Sequence, residues 1–318
     1  HIDEGMLVFD RDEHPFAIVS DLDRNSRDPE RFVWRSYLRL GKLVRSGSRY
    51  RIRWGDTLQL QSNTAKHNRS MELSELVLFG PRLLAMCDYT GLIFKISTAD
   101  ILAGSLKPKV FQRWAIAAGD GNSIKPCKME WATMKDGVLW VGSVGKEWTT
   151  STGEIDHGDR TSEWVKTIEE TGRVRNIDWG PVYSAIRRET NTSLSTGGWL
   201  WHEAVHWDPR SRRWIFLPRK ESRNTPFIPG ANPPLGSNLL VVASEDFTDI
   251  KVTRVGPLEL DRGFTAVRKV PGTTDVLMAL KVKEMRGEVR TWITVFDMEG
   301  NFLLDPEPIQ LVGDMKYE

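Results

Sequence analysis

Cysteine is scarce in this chain, and so are the motifs that usually decide a function class at sight. Two cysteines, Cys87 and Cys127, stand among 318 residues, so no disulfide framework holds the protein together. A single bridge between neighbouring structural units is the expectation and two free buried thiols the alternative. Charge of one sign is lacking as well. The 44 basic and 43 acidic residues leave a formal charge of +1, which gives no broad pull toward nucleic acid or anionic lipid, so any anionic ligand must be held locally. No apolar run reaches the length of a membrane span. The numbering opens on His1-Ile2-Asp3-Glu4, without the charged and apolar regions of a signal segment, as a processed mature chain would. Absent too are a Walker loop, an EF-hand loop, a helical H-E-x-x-H pair, a zinc-spaced Cys/His cluster, a serine nucleophile elbow, a Cys-His pair and a Gly-rich dinucleotide turn, which disfavours covalent catalysis. His202 and His206 are four apart, but in a strand pattern.

What remains is a chain with 40% hydrophobic and 27% charged residues, ordinary for a folded globular protein. Its periodicity is that of short strands with abrupt turns. Leu76–Phe79, Leu83–Met86 and Leu92–Ile96 form a meander broken at Gly80-Pro81 and Thr90-Gly91. Glu130–Met134 and Val138–Gly142 flank Asp136-Gly137, a strong hairpin signal. Glu203–Trp207 with Trp214–Leu217, and Gly263–Val267 with Val276–Leu280, Trp292–Phe296 and Asn301–Leu304, repeat the pattern. Four strands per unit and about 60 residues per unit predict an all-β, five-bladed propeller of four-stranded antiparallel blades, one domain over residues 1–318. Phe16–Ser20 begins the first blade and Lys316-Tyr317-Glu318 pairs back to close the ring. A two-sheet sandwich is the rival architecture. Helical turns are expected only within 156–171 and 183–190.

An oxygen-bearing side chain heads one apolar strand after another: Ser74, Glu130, Glu203, Thr265 and Glu318, at intervals of roughly 50 to 75 residues. A glutamate inside an apolar strand is costly unless something pairs with it. Five blades presenting five oxygens to the axis would make one cation site of the kind calcium takes. Five half-exposed strand-edge residues is the competing reading.

Three further clusters carry chemistry. Asp21 and Asp23 follow the Phe16–Ser20 strand, and alternation places both carboxylates on one side of a continuing strand, where they need a cation, a proton or water; a solvated turn is the plainer reading. Asp88 reads as a turn aspartate. Gly145–Thr150 offers Lys146 and Trp148 for phosphate and base contact, and Arg219 ends a strand beside Lys220 as a possible phosphate clamp. Most of the 13 tryptophans are blade packing. Sequons at Asn68-Arg69-Ser70 and Asn191-Thr192-Ser193 permit a secretory glycoprotein.

The stretches Met71–Leu76, Lys128–Trp131, Gly145–Thr150, Glu163–Lys166, Trp214–Arg219 and Lys316–Glu318 resemble, in order, the calcium-activated nucleotidase (apyrase) family of blood-feeding insect saliva and vertebrate secretory compartments. The matches run from Asp21 to Glu318. The resemblance implies a five-bladed propeller with Ca2+ in its axial tunnel that hydrolyses the terminal phosphate of nucleoside tri- and diphosphates. It places metal oxygens on Ser74, Glu130, Glu203, Thr265 and Glu318, with Glu75 beside the first; Thr265 stands where the family more often has serine. It places acidic catalytic residues on Asp21, Asp23 and Asp88, and substrate contacts on Lys146, Trp148 and Arg219. The expected substrates are ADP and ATP, with UDP or GDP as the alternative and a non-catalytic ligand-binding propeller as the second. The expected setting is extracellular or the ER-Golgi lumen, as a monomer or weak dimer with no nucleic-acid or membrane partner.

Overall fold

Runs of β-branched and aromatic residues at period two, cut by turns the chain can tolerate, determine the architecture. At the Asp136-Gly137 hairpin both residues have positive φ (52° and 77°), the two-residue turn whose twist matches its strands. The computed structural model describes residues 12–231, 233–285, 287–309 and 315–318, and these form five four-stranded antiparallel sheets around an axis.

From the axis outward, blade 1 consists of Lys316–Tyr317, Glu13–Asp21, Trp34–Ser46 and Arg49–Ser62. Blade 2 is Leu73–Phe79, Arg82–Cys87, Leu92–Ile96 and Val110–Ala115; blade 3 is Trp131–Lys135, Val138–Gly142, Trp164–Ile168 and Val174–Asp178. Blade 4 is Trp199–Asp208, Arg213–Ser222, Leu239–Ser244 and Ile250–Arg254, and blade 5 is Arg262–Lys269, Val276–Met285, Glu288–Asp297 and Phe302–Pro308. The expected closure is present. Ser20 pairs with Tyr317 and Asp21 with Lys316, and Glu318 exchanges both backbone hydrogen bonds with Val19, at 3.0 and 2.8 Å.

The core lies in wedges between blades. The wedge of blades 3 and 4 is aromatic, with Trp131, Trp179, Tyr183, Trp207, Trp214 and Phe216 buried together; rings of this size carry much of the buried apolar area in such a core. The helical turns expected within 156–171 and 183–190 are present as a 3-10 turn at Thr161–Glu163, followed by the strand Trp164–Ile168, and as the helix Gly180–Glu189, started by Pro181 in its first turn. One sequence expectation is corrected. Cys87 and Cys127 are both free and buried. They pack in different wedges, Cys87 with Trp34 and Phe94 and Cys127 with Ile116 and Met129, and burial pushes each thiol up to about 11, so no bridge joins them.

Candidate active site

Three of the five predicted axial oxygens sit on backbone irregularities of the strands nearest the axis. Leu73 pairs with Cys87 and Glu75 with Met86, leaving Ser74 without an opposite residue. His202 pairs with Pro218 and Ala204 with Leu217, leaving Glu203; Phe264 pairs with Lys281 and Ala266 with Leu280, leaving Thr265. A bulge inserts one residue and re-aims its side chain without disturbing the ladder beyond it. Glu130 stands just before its strand, its amide bonded to the Gly142 carbonyl at 2.9 Å, and Glu318 follows the closing strand. Neighbouring blades are tied at this level. The Ser74 hydroxyl donates to the carbonyl of Met129, beside Glu130, and the Thr265 hydroxyl donates to the carbonyl of Tyr317, beside Glu318, at 3.3 Å. All five residues are buried.

A ring of cations surrounds them, three of which join an axial carboxylate to an outer one. Lys128 reaches Asp88 at 2.8 Å and also Glu130. Lys316 reaches Asp21 at 2.8 Å and Glu318 at 3.0 Å. Arg219 grips both oxygens of Glu203 at 2.7 and 2.8 Å and Glu284 at 2.5 Å. Arg69 clasps Glu72, stands 3.6 Å from Asp23 and lies over the Tyr89 ring at 3.9 Å. Eight carboxylates therefore meet four cations. Burial pushes the Glu130 carboxyl up to about 7 against the pull of Lys128, with Glu203 adding to the rise. Glu72 goes up to about 7, again chiefly by burial. Glu318 is also driven upward by burial against the pull of Lys316, and the Lys316 ion pair is the contact that its buried carboxylate has in place of a hydrogen bond. Glu203 and Glu284 are held low despite burial, because Arg219 lies against them.

Asp21 and Asp23 come together, but not by strand alternation. The strand ends at Asp21; the chain turns through Asp23 at φ 46°, and the Asp23 amide donates to the Asp21 carboxylate at 2.9 Å. This turn brings oxygens of Asp21, Asp23 and Glu72 within 4.8 Å of one another. Partial burial and the adjacent Asp21 charge push Asp23 up to about 6. Glu75 is committed elsewhere. It pairs with Arg268 of blade 5 at 2.6 Å and accepts from the amides of Leu76 and Ala132 at 2.9 and 3.5 Å.

A cavity of about 520 Å³ is lined in part by Lys146, Ile155, Leu194, Trp199 and Phe227. The Lys146 ammonium sits 4.2 Å from the Phe227 ring centre and 5.9 Å from that of Trp201, and burial pulls it down to about 8 although Glu147 opposes. Trp201 lies behind this lining, its ring centre 5.4 Å from that of Phe227, and its indole N–H donates to Glu203 at 2.8 Å. Trp148 stands apart from this lining, its indole donating to the Thr161 hydroxyl at 3.0 Å.

Sequence reasoning missed Arg69, Glu72, Lys128, Trp201, Glu284 and Lys316. A signal for three of them is in the chain: Lys128, Trp201 and Lys316 each stand two residues before an axial glutamate, on the same side of an extended segment, and each touches that glutamate. In blade 5 the same position is Gly263, where a Cβ would lie 1.7 Å from the Arg219 carbonyl oxygen, so only glycine lets Arg219 take its place. The donors at the axis are all oxygen, several of them under-neutralised, which is the set a hard divalent cation such as calcium binds.

Residues 22–318 match the family described as Apyrase. Soluble calcium-activated nucleotidase 1 of Rattus norvegicus is 37% identical over 307 residues, covering 95% of this chain and 72% of the rat protein. The Apyrase of Cimex lectularius is 35% identical over 310 residues (95% and 80%), and Apyrase apy-1 of Caenorhabditis elegans 35% over 315 residues (96% and 83%). On this match of nearly the whole chain and on the propeller that carries it, the protein belongs to the apyrase family.

Proposed function

We propose that the protein is a calcium-dependent nucleotide phosphohydrolase that takes ATP and ADP to AMP and phosphate. The observation that supports this reading is the burial of Ser74, Glu130, Glu203, Thr265 and Glu318 at one level of the five inner strands, three of them on bulges, with Glu203 near enough to raise the proton affinity of Glu130 and Glu318. These five residues would hold the ion. Bound calcium supplies positive charge against phosphate oxygens.

The remaining work falls to the chain's own groups. Lys316 and Arg219 border the carboxylate shell, and their charge stabilises the negative terminal phosphate as it leaves. Asp21, Asp23 and Asp88 surround the same mouth and orient the attacking water; Asp23, at about 6, is best matched to accept its proton near neutral pH. Water attacks the terminal phosphorus, the bridging P–O bond breaks, and the shorter nucleotide leaves with that oxygen. Trp201 and Phe227 offer ring faces to the base, and Lys146 a cation to the phosphate chain. The exposed sequon asparagines Asn68 and Asn191 support a secreted, glycosylated protein. Outside the cell, removal of ADP and ATP would blunt platelet activation.

Phosphate release from ATP, ADP, UDP and GDP, each with calcium, with magnesium and with chelator, tests this reading. Calcium-dependent turnover of ATP and ADP is expected. Preference for UDP or GDP would move the protein to nucleoside diphosphate clearance, and no turnover in any arm would leave a ligand-binding propeller.

Lys146 adds a pH prediction. A lysine held at about 8 is cationic at pH 7 and largely neutral at pH 9, while nucleotide phosphates no longer titrate there. KM for ADP is expected to rise between pH 7.5 and 9 with kcat nearly constant, and Lys146→Arg should flatten that rise. In stability the sign is opposite: the buried cation penalises the fold fully below pH 8, and the penalty is relieved between about 8 and 10.5. A flat KM in the unsubstituted protein would remove Lys146 from substrate binding.

A further inference from the structure

The chain is nearly neutral overall, but its charge is unevenly laid out. Residues 31–55 contain eight lysines and arginines (Arg31, Arg35, Arg39, Lys42, Arg45, Arg49, Arg51, Arg53) and no acidic residue. In the fold this stretch supplies the two outer strands of blade 1, Trp34–Ser46 and Arg49–Ser62, and the second of these is the edge of its sheet. Arg49, Arg51 and Arg53 alternate along that edge and are all exposed. Alternation at about 3.3 Å per residue sets them on one face, roughly 6.6 Å apart, and Arg53 lies opposite exposed Lys42.

Among the described residues, few acids answer this row. Glu13 is shared between Lys42, at 3.0 Å, and Arg53, and Arg49 meets Asp305 at 2.5 Å. Among the described residues no carboxylate pairs with Arg51. The side chains of Lys42, Arg49 and Arg53 stay about half exposed (53%, 54% and 55%) even while paired, so these are exchangeable surface contacts of small worth. Arg45 and Asp12 stand at the hairpin end, joined through the backbone at 2.7 Å.

We propose that this edge is a docking site for a linear sulfated polysaccharide, distinct from the nucleotide site at the axis. A straight row of guanidinium groups fits a polymer that repeats an anionic group along its length, and each guanidinium can give a sulfate two parallel hydrogen bonds. The surroundings argue against the other polyanions. A membrane surface calls for exposed apolar side chains among the cations, and the large exposed ones lie off this row: Phe32 at the opposite end of the strand pair, where Trp34 meets Ser62, and Leu78, Leu102 and Ile124 outside blade 1. Single-stranded nucleic acid calls for open aromatic faces, whereas Tyr50 is buried and the Trp54 ring is covered by the Arg39 guanidinium at 4.2 Å.

The test is calorimetric titration of the full chain with a heparin dodecasaccharide at about physiological ionic strength. The triple substitution Arg49→Ser, Arg51→Ser and Arg53→Ser is expected to weaken binding at least tenfold and to reduce its dependence on salt, since fewer counter-ions are displaced. Glu13→Gln, which frees two cations, should tighten it. Phosphate release should be unchanged in both. The proposal is overturned if the unsubstituted chain does not bind, if the triple variant binds equally well, or if phosphatidylserine vesicles or a 20-nucleotide single strand bind as tightly. In the first two cases the arginines merely guard a sheet edge against association.

Discussion

Glu203→Gln is expected to lower kcat/KM for ADP at least a thousandfold while the chain still folds. Glu203 receives both Arg219 contacts and the Trp201 indole N–H, so it holds together the axial oxygens, the cation ring and the aromatic cavity. Its charge also raises the proton affinity of Glu130 and Glu318. The amide keeps the volume but removes a buried charge, leaving Arg219 to Glu284 alone. Breaking one partner of a buried pair costs about 3 to 5 kcal/mol. Urea denaturation should show a loss of that order, and calorimetry should show calcium affinity down by tenfold or more. Glu75→Gln is the control: it also breaks a buried pair, with Arg268, and is expected to lose comparable stability while calcium affinity stays within threefold. Equal losses of calcium affinity in the two variants, or more than a tenth of normal activity in Glu203→Gln, would sink the axial assignment.

The contrast between these glutamates marks how far the sequence could be read. Period-two runs and the Asp136-Gly137 turn were enough for five blades, because each rests on local geometry; the even return of polar residues to strand beginnings only nominated five oxygens, and it took the family resemblance to favour them over five strand-edge residues. Glu75 and Ser74 are adjacent in the chain, yet one faces Arg268 and the other the carbonyl beside Glu130. What separates them is a bulge, and a bulge is a property of two paired strands that neither strand announces alone. Asp21 and Asp23 converge through a positive-φ turn for the same kind of reason. The cations were hidden differently. Lys128 and Lys316 precede their glutamates by two residues, a readable spacing, but a lysine beside a glutamate in a strand usually means a solvated face; here Glu130, Glu318 and Lys316 are buried and Lys128 is partly covered. Arg219 was readable as a strand-end cation suited to phosphate, but its enclosure by Glu203 and Glu284, with Gly263 making room, was not. Trp148 and Trp201 were indistinguishable by composition, and only the packing of blade 4 sets Trp201 against Glu203.

Lys316→Met should be the most damaging single change outside the axial carboxylates. Lys316 is the cation between buried Asp21 and buried Glu318, and it lies on the two-residue strand that closes the ring. Methionine nearly matches its volume, so no large cavity is left, but two carboxylates lose their common partner inside the protein. A cost of about 3 to 5 kcal/mol is expected, visible as a lower urea midpoint, with phosphate release reduced at least a hundredfold. Lys316→Arg, which keeps the charge, should recover most of the stability but less of the activity, because a planar guanidinium meets two carboxylates at different angles than an ammonium does. Closure of the blade and assembly of the site share this residue, so stability and activity should fall together in the methionine variant and separate in the arginine one. If the methionine variant unfolds at the normal urea concentration, the charge on Lys316 contributes nothing to closure and the backbone pairing of Ser20 with Tyr317 holds the ring alone.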